Sequence, residues 1–283
     1  MTADGESEFD PWPAVAIHVE WGIPGALLAA RRGDLVVVVD VLSFSTSVIE
    51  VVARGGTAFC YSPEAIDDAG GRSAVASRHD ATLLVRRRNV GPGEFSLSPA
   101  SLQAVAPDQR LVMTSLNGGR CLDAASDAPW AAVGCLTNRT AVARRVAELL
   151  ADGAATRCTI VPCGETWAGP FMAAQVGELP GVAHGHVRPS IEDHLGAGAI
   201  VAAFGADLRR SVEAQAAAVV FERCRDDLAS ALADGLSGRE LRHRGFDDDV
   251  AIAAQLDAHG VVAERSGDRD AARCFSSDRS GRA

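Results

Sequence analysis

The sequence predicts an α/β protein, a three-layer α/β/α arrangement around a mostly parallel or mixed sheet. Two observations predict it. Residues Leu35 to Val39 are five consecutive aliphatic side chains, four of them β-branched, the composition of a strand buried on both faces. The same unit then recurs along the chain: a short apolar strand, a loop carrying Asp, Ser, Thr, Asn, Arg or Glu, and a helix. That alternation is the pattern of helices laid over a sheet.

Taken in order, residues 14–21 alternate as a first strand, and 22–30 lead through Pro24 into a short helix. After the central strand, Val48, Ile49, Val51, Val52 and Ala53 form the apolar face of a helix closed by Gly55-Gly56. Further strands are expected at 57–62, 81–85, 110–113, 131–134 and 159–162. Helices are expected at 63–70, 99–105, 120–125 and 140–152, the second opened by Pro99 in its first turn. Residues 168–187 are Gly/Pro-rich and predict a loop or lid. An Ala/Gly-rich helix follows to Phe204, its small residues predicting close packing, and then helices at 212–233, 239–242 and 246–257. The expected organisation is one catalytic domain over 14–263, with a division into two subdomains left open. A flexible N-terminus over 1–13 and a disordered Arg/Asp/Ser/Gly-rich tail over 264–283 flank it.

Composition narrows the chemistry. The 283 residues carry a net charge of −10, which argues against a nucleic-acid surface. All 27 basic residues are Arg. The absence of Lys removes the lysine-bearing phosphate loop and Schiff-base catalysis. An anionic ligand must therefore be held by Arg, hydroxyls, backbone N–H groups or a metal, and the Arg fork suits oxyanions. The seven cysteines are scattered without a C-x-x-C pair, a poor basis for zinc or dithiol chemistry. No apolar run is long enough to span a membrane, and the acidic start is unlike a secretion signal, so a cytoplasmic location is expected. The long Ala-rich helices could serve a homodimer interface.

The candidate site begins where the central strand ends, at Asp40, followed by Ser43, Ser45, Thr46 and Ser47. Ligands of open α/β sheets bind beyond the strand ends. A carboxylate there suits Mg²⁺, and hydroxyls with helix N-terminal N–H groups suit phosphate. The plainer alternative is an Asp that orders the turn and hydroxyls that cap the helix. Similar alternatives stand elsewhere. Glu192 and Asp193 lie about 100° apart on a helix and could simply offset its N-terminal dipole. Cys163 could be a buried core residue, and Arg86-Arg87-Arg88 a solvated charge run. Asp247-Asp248-Asp249 reads best as a helix start, and His184 and His186 as exposed loop residues.

A set of motifs spread from His18 to Val262 goes further. These are Val39-Asp40-Val41-Leu42-Ser43-Phe44-Ser45-Thr46-Ser47, Arg88, Ser98-Pro99, Thr114-Ser115-Leu116-Asn117-Gly118 and Gly134-Cys135-Leu136-Thr137-Asn138. They continue with Gly164-Glu165, Glu192-Asp193 with Gly196-Ala197-Gly198, Ser237-Gly238-Arg239-Glu240-Leu241, Gly245 and Asp248-Asp249-Val250. In this order and spacing the chain resembles the Mg²⁺-dependent 2-phosphosulfolactate phosphatases. The resemblance implies a three-layer α/β fold and hydrolysis of 2-phospho-3-sulfolactate to 3-sulfolactate and phosphate, a step toward coenzyme M. Three departures stand out: Arg87 where the family has an acidic residue, Ser43 where many members carry Arg, and a shortened stretch at Phe95-Ser96-Leu97-Ser98-Pro99.

The resulting expectation is metal-assisted hydrolysis of a small phosphorylated acid. Asp40, Glu192 and Asp193 would bind Mg²⁺, and Arg88 and Arg188 would hold phosphate or sulfonate oxygens. Ser43, Ser45, Thr46, Asn117, Gly118 and Asn138 would contact substrate, and Glu165 would join Asp40, Ser45, Arg88 and Cys163 in catalysis. Water held by the metal is the default nucleophile, with Cys163 and Ser45 as covalent alternatives. The rival is a non-catalytic protein that binds a small phosphorylated or sulfonated acid.

Overall fold

A computed structural model describes residues 15–167, 187–265 and 274–276. Among them, nine strands form one mixed sheet. In chain order they are β1 (Ile17–Val19), β2 (Leu35–Val39), β3 (Thr57–Tyr61), β4 (Thr82–Leu83), β5 (Arg110–Thr114), β6 (Ala131–Val133), β7 (Cys158–Pro162), β10 (Ala263–Arg265) and β11 (Cys274–Ser276). A separate two-stranded ribbon pairs β8 (Glu165–Thr166) with β9 (Val187–Arg188). The order across the sheet is β1-β7-β2-β6-β10-β11-β3-β5-β4. Two parallel blocks, β1-β7-β2-β6 and β3-β5-β4, are joined by the antiparallel pair β10-β11. All five residues of β2 are buried, as its uninterrupted aliphatic run requires.

The helices are α1 (Gly22–Arg31), α2 (Phe44–Ala53), α3 (Pro63–Asp68), α4 (Arg72–His79), α5 (Pro99–Leu102), α6 (Gly118–Ala124) and α7 (Arg139–Ala151). After them come α8 (Ile191–Ala202), α9 (Val212–Cys224), α10 (Leu228–Asp234), α11 (Leu236–His243) and α12 (Asp247–Ala253). With the sheet they make a three-layer α/β/α fold, in which α1 and α8 both pack on β2 and β7. The main hydrophobic core runs through both blocks, from Ile17 to Phe275, and a smaller cluster of Phe59, Tyr61, Ile66, Val75 and Val112 lies under α3 and α4. Ser62, Ser98 and Ser211 cap α3, α5 and α9 by accepting from Ala65, Ser101 and Ala214 N–H groups. The small residues of α8 do what their composition predicts. A Cβ on Gly198 would sit 2.1 Å from the Ala217 carbonyl oxygen, so glycine lets α9 lie directly on α8.

Several expectations change. Helix α4 was not anticipated: Val75 is its one buried residue, so no apolar stripe marks it in the sequence. The 81–85 strand shrinks to β4. The 212–233 helix breaks at the 3₁₀ turn Arg225–Asp227. Helix α2 starts at Phe44, which places Ser45, Thr46 and Ser47 inside its buried first turn. The disordered tail expected from residue 264 is corrected in part, because β10 and β11 bridge the two blocks. Their polar side chains are satisfied in place. Glu264 accepts from Trp130 Nε1 (2.7 Å) and Arg145 Nε (3.2 Å), while Arg265 donates to the Ser126 carbonyl (2.9 Å). Ala263 and Phe275 are buried. The expected N-terminal arm, the 168–186 part of the loop or lid with His184 and His186, and the remainder of the tail lie outside the described residues. Among the described residues no helix is long and apolar enough to cross a membrane.

Candidate active site

Strand β2 delivers Asp40 to the point where the loop after β7 and the turn after β5 meet. The turn that follows Asp40 is held by its own hydroxyls. Ser45 Oγ accepts from the Asp40 N–H (2.8 Å), and Thr46 Oγ1 donates to the Val41 carbonyl (2.8 Å). The Asp40 carboxylate is fixed from the other block: its Oδ2 accepts from Gly118 N–H (2.9 Å) and Ser115 Oγ (3.2 Å). Glycine at 118 is what permits this approach, since a Cβ there would lie 2.1 Å from the Phe44 ring.

Helix α8 brings in two more carboxylates. Asp193 Oδ1 accepts from Val41 N–H (2.7 Å) and its Oδ2 from Gly164 N–H (2.8 Å), so it ties the loops after β2 and β7 together. Glu192 is 3 % exposed and accepts no hydrogen bond from the described residues. Glu165, on β8, is hydrogen-bonded by the Asn117 side chain and stands opposite Arg188 on β9. The Arg188 Nε is buried with no hydrogen-bond partner among the described residues, the condition of a donor awaiting an anion.

The electrostatics follow from four acids sharing one place, Asp40, Glu192 and Asp193 buried and Glu165 half-buried. Burial, and then repulsion from Glu192, raises Asp40 to about 6 against the hydrogen bonds that favour its charge. Burial and the neighbouring Asp40 raise Glu165 to about 7. The same causes push Asp193 well above the ordinary carboxylate range. Carboxylates crowded in this way either keep protons or gather a cation. Oxygen donors of this kind fit a hard divalent ion. Among the described residues, no group of three or more His, Cys, Asp or Glu forms a ready metal cage. Mg²⁺ does not need one, because it takes one or two carboxylates and completes its shell with phosphate and water.

Not every expected residue faces this place. Asp40, Asn117, Gly118, Glu165, Glu192 and Asp193 are gathered there, and Arg188 stands across the ribbon from Glu165. Ser45 and Thr46 turn their hydroxyls into the backbone, which is the plainer reading of them. Asn138 is buried and holds its own turn, accepting from Cys135 N–H (3.0 Å) and donating to the Val261 carbonyl (3.2 Å). Cys163 is beside the acids, but burial and the adjacent Cys121 thiol hold it protonated, a poor state for a nucleophile. Arg88 is exposed and makes no hydrogen bond or ion pair with the described residues.

Its neighbour Arg87 is the arginine that reaches inward. It donates to Ser43 Oγ (2.6 Å) and to the Leu97 carbonyl through Nε (2.9 Å), and it pairs with Asp249 at 3.5 Å. Ser43 and Arg87, two of the residues that stood out in the sequence, are thus in contact. Asp249 is an anchor rather than a helix-start charge alone, accepting from Ser98 Oγ (2.5 Å) and Ala100 N–H (3.0 Å). Sequence reasoning missed Ser115 and Asp249 as site neighbours, although both lie within the motifs that carry the resemblance. Arg87 stood out in the sequence as a departure beside the expected anion site, but nothing there showed what it contacts.

A sequence profile of the 2-phosphosulpholactate phosphatase family matches residues 23–267. A protein of Parasynechococcus marenigrum, named "Probable 2-phosphosulfolactate phosphatase", is 29 % identical over 252 residues, covering 85 % of this chain and 92 % of its own. One of the same name from Gloeobacter violaceus is 28 % identical over 228 residues, covering 79 % and 85 %. With the profile spanning most of its length, this chain belongs to the 2-phosphosulfolactate phosphatase family.

Proposed function

We propose that this protein is a Mg²⁺-dependent phosphatase that hydrolyses 2-phospho-3-sulfolactate, or a closely related phosphorylated acid, to the hydroxy acid and phosphate. The observation that carries the proposal is the gathering of Asp40, Glu165, Glu192 and Asp193 in one site, with Arg188 paired across the ribbon from Glu165 and its Nε without a partner among the described residues. Asp40 and Glu192 would hold the ion, and Asp193 would keep the two loops in register through its backbone bonds. When bound, Mg²⁺ polarises the phosphoryl oxygens and offsets the charge that builds on them. Arg188 would grip a phosphoryl oxygen, which gives its Nε a charge-assisted partner. Glu165, with its proton affinity near neutrality, would accept the proton of the attacking water, oriented by the Asn117 amide.

The test is release of inorganic phosphate from 2-phosphosulfolactate and 2-phospholactate with Mg²⁺, with EDTA, and in Asp40→Asn. Turnover that needs the metal and falls by about 10²-fold or more in Asp40→Asn is the expected result. Arg188→Gln should raise KM by about tenfold or more, from the loss of a charged hydrogen bond. Folded protein that binds Mg²⁺ yet releases no phosphate from either ester would overturn the proposal in favour of a binding protein.

A further inference from the structure

Beside the carboxylate site, a cavity of about 520 Å³ opens between the end of β5, the segment after β4 and Leu97. Arg72, Arg86 and Arg87 line it together with Asn89, and among the described residues no acidic side chain does. On a chain with net charge −10, that is a local reversal of sign, and a concave cationic wall focuses attraction on small anions. The three guanidinium groups are in different states. Arg72 is braced by one bond from Nη2 to the Leu84 carbonyl (2.6 Å), leaving the rest of its five-donor fork available. Arg87 is partly balanced by Asp249 at 3.5 Å. Arg86 makes no hydrogen bond or ion pair with the described residues.

The cavity borders the residues that surround Asp40. Thr114 lines it, and the next residue, Ser115, donates to Asp40. Arg87 lines it and also donates to Ser43, three positions after Asp40. A ligand whose phosphate lies at the carboxylates can therefore extend its remaining part along this wall. The volume falls within the range of about 300–1,000 Å³ common for ligand pockets.

We propose that this arginine-lined cavity binds the second anionic group of the substrate, a sulfonate or carboxylate that is not transferred, and that Arg72 and Arg86 determine specificity for it. The proposal rests on the phosphatase function above for the word substrate. The cavity's preference for an oxyanion is testable without turnover. The bidentate Arg fork matches both sulfonate and carboxylate oxygens.

The experiment has two arms, each on the full-length chain. In the kinetic arm, Arg86→Gln and Arg72→Gln are compared with the parent on 2-phosphosulfolactate and on phenyl phosphate, which has no second anion. The expected result is a rise in KM of about tenfold or more for 2-phosphosulfolactate, with kcat within about twofold and phenyl phosphate little affected. Equal effects on the two esters would overturn the proposal. In the binding arm, 3-sulfolactate is titrated calorimetrically into the parent and Arg86→Gln. Binding weakened by about tenfold in the variant supports the proposal. No heat of binding at millimolar ligand, or equal affinity in the two proteins, overturns it. Arg86 is exposed, so its variant is expected to keep the parental melting temperature, and Arg72→Gln guards against an effect peculiar to one side chain. Arg86-dependent sulfolactate binding without turnover of any ester would sink the phosphatase function and retain the cavity's role. Turnover with a KM indifferent to both arginines would do the reverse.

Discussion

Asp40 carries two opposed demands. Its hydrogen bonds from Gly118 and Ser115 favour the ionised form, while burial and the nearby acids oppose it and prevail, moving it from 3.8 to about 6. A folded-state value above the unfolded one means that the native protein holds this proton more tightly. The group's contribution to stability is therefore greatest below about pH 4 and is lost as pH rises toward about 6. Asparagine has nothing to ionise and can still accept both bonds. In EDTA, the stability of Asp40→Asn relative to the parent should grow between about pH 4 and 6 and then level, reaching on the order of 2–3 kcal/mol. Denaturant titrations at several pH values check this, and a flat difference would contradict it. Asn138 behaves in the opposite way. Asn138→Ala leaves the Cys135 N–H and Val261 carbonyl unpaired and should cost about 1–3 kcal/mol, seen as a lower denaturation midpoint. KM per folded molecule should stay unchanged, because the side chain serves its own turn.

At the scale of elements, close approach decides the packing. Gly198 allows α9 to rest on α8, and α8 carries Glu192 and Asp193 in its first turn. Gly198→Ala would drive a methyl group against the Ala217 carbonyl, a backbone atom that cannot step aside alone. The expected loss is about 1–3 kcal/mol, with a further fall in activity as the two carboxylates shift. A melting temperature equal to that of the parent would show that the contact is looser than described. Helix α2 gives the complementary lesson. Its hydroxyl-rich first turn resembles an anion cradle in sequence, yet Ser45 and Thr46 close the turn. A hydroxyl near a backbone carbonyl and one near a ligand have the same one-letter code.

At the scale of the whole molecule, the pair β10-β11 joins the two parallel blocks of the sheet. Deleting residues 258–283 would strip the facing edges of β6 and β3 of their hydrogen-bonding partners, and exposed edges of this kind promote association. The truncated chain should be insoluble or aggregated by size-exclusion chromatography, and a monodisperse, active product would contradict the bridging role. The site depends on the same architecture, since Asp40 comes from one block and Ser115 and Gly118 follow a strand of the other.

The sequence by itself determined the α/β class, the β2 strand, most helices, and the identity of the acids at Asp40, Glu165, Glu192 and Asp193. Those features rest on local periodicity and on motifs whose order along the chain is itself information. Tertiary structure decided what each polar group faces. Arg87 rather than Arg88 turns inward, and Asp193 is occupied by Val41 and Gly164 N–H groups. Residues 263–265 join the sheet, and Trp130, Arg145 and Ser126 satisfy the charged groups of Glu264 and Arg265 there. Each of these outcomes depends on a partner between 29 and 152 residues away in the chain. Local pattern cannot encode such a partner, because hydrogen bonding and desolvation are set by neighbours in space.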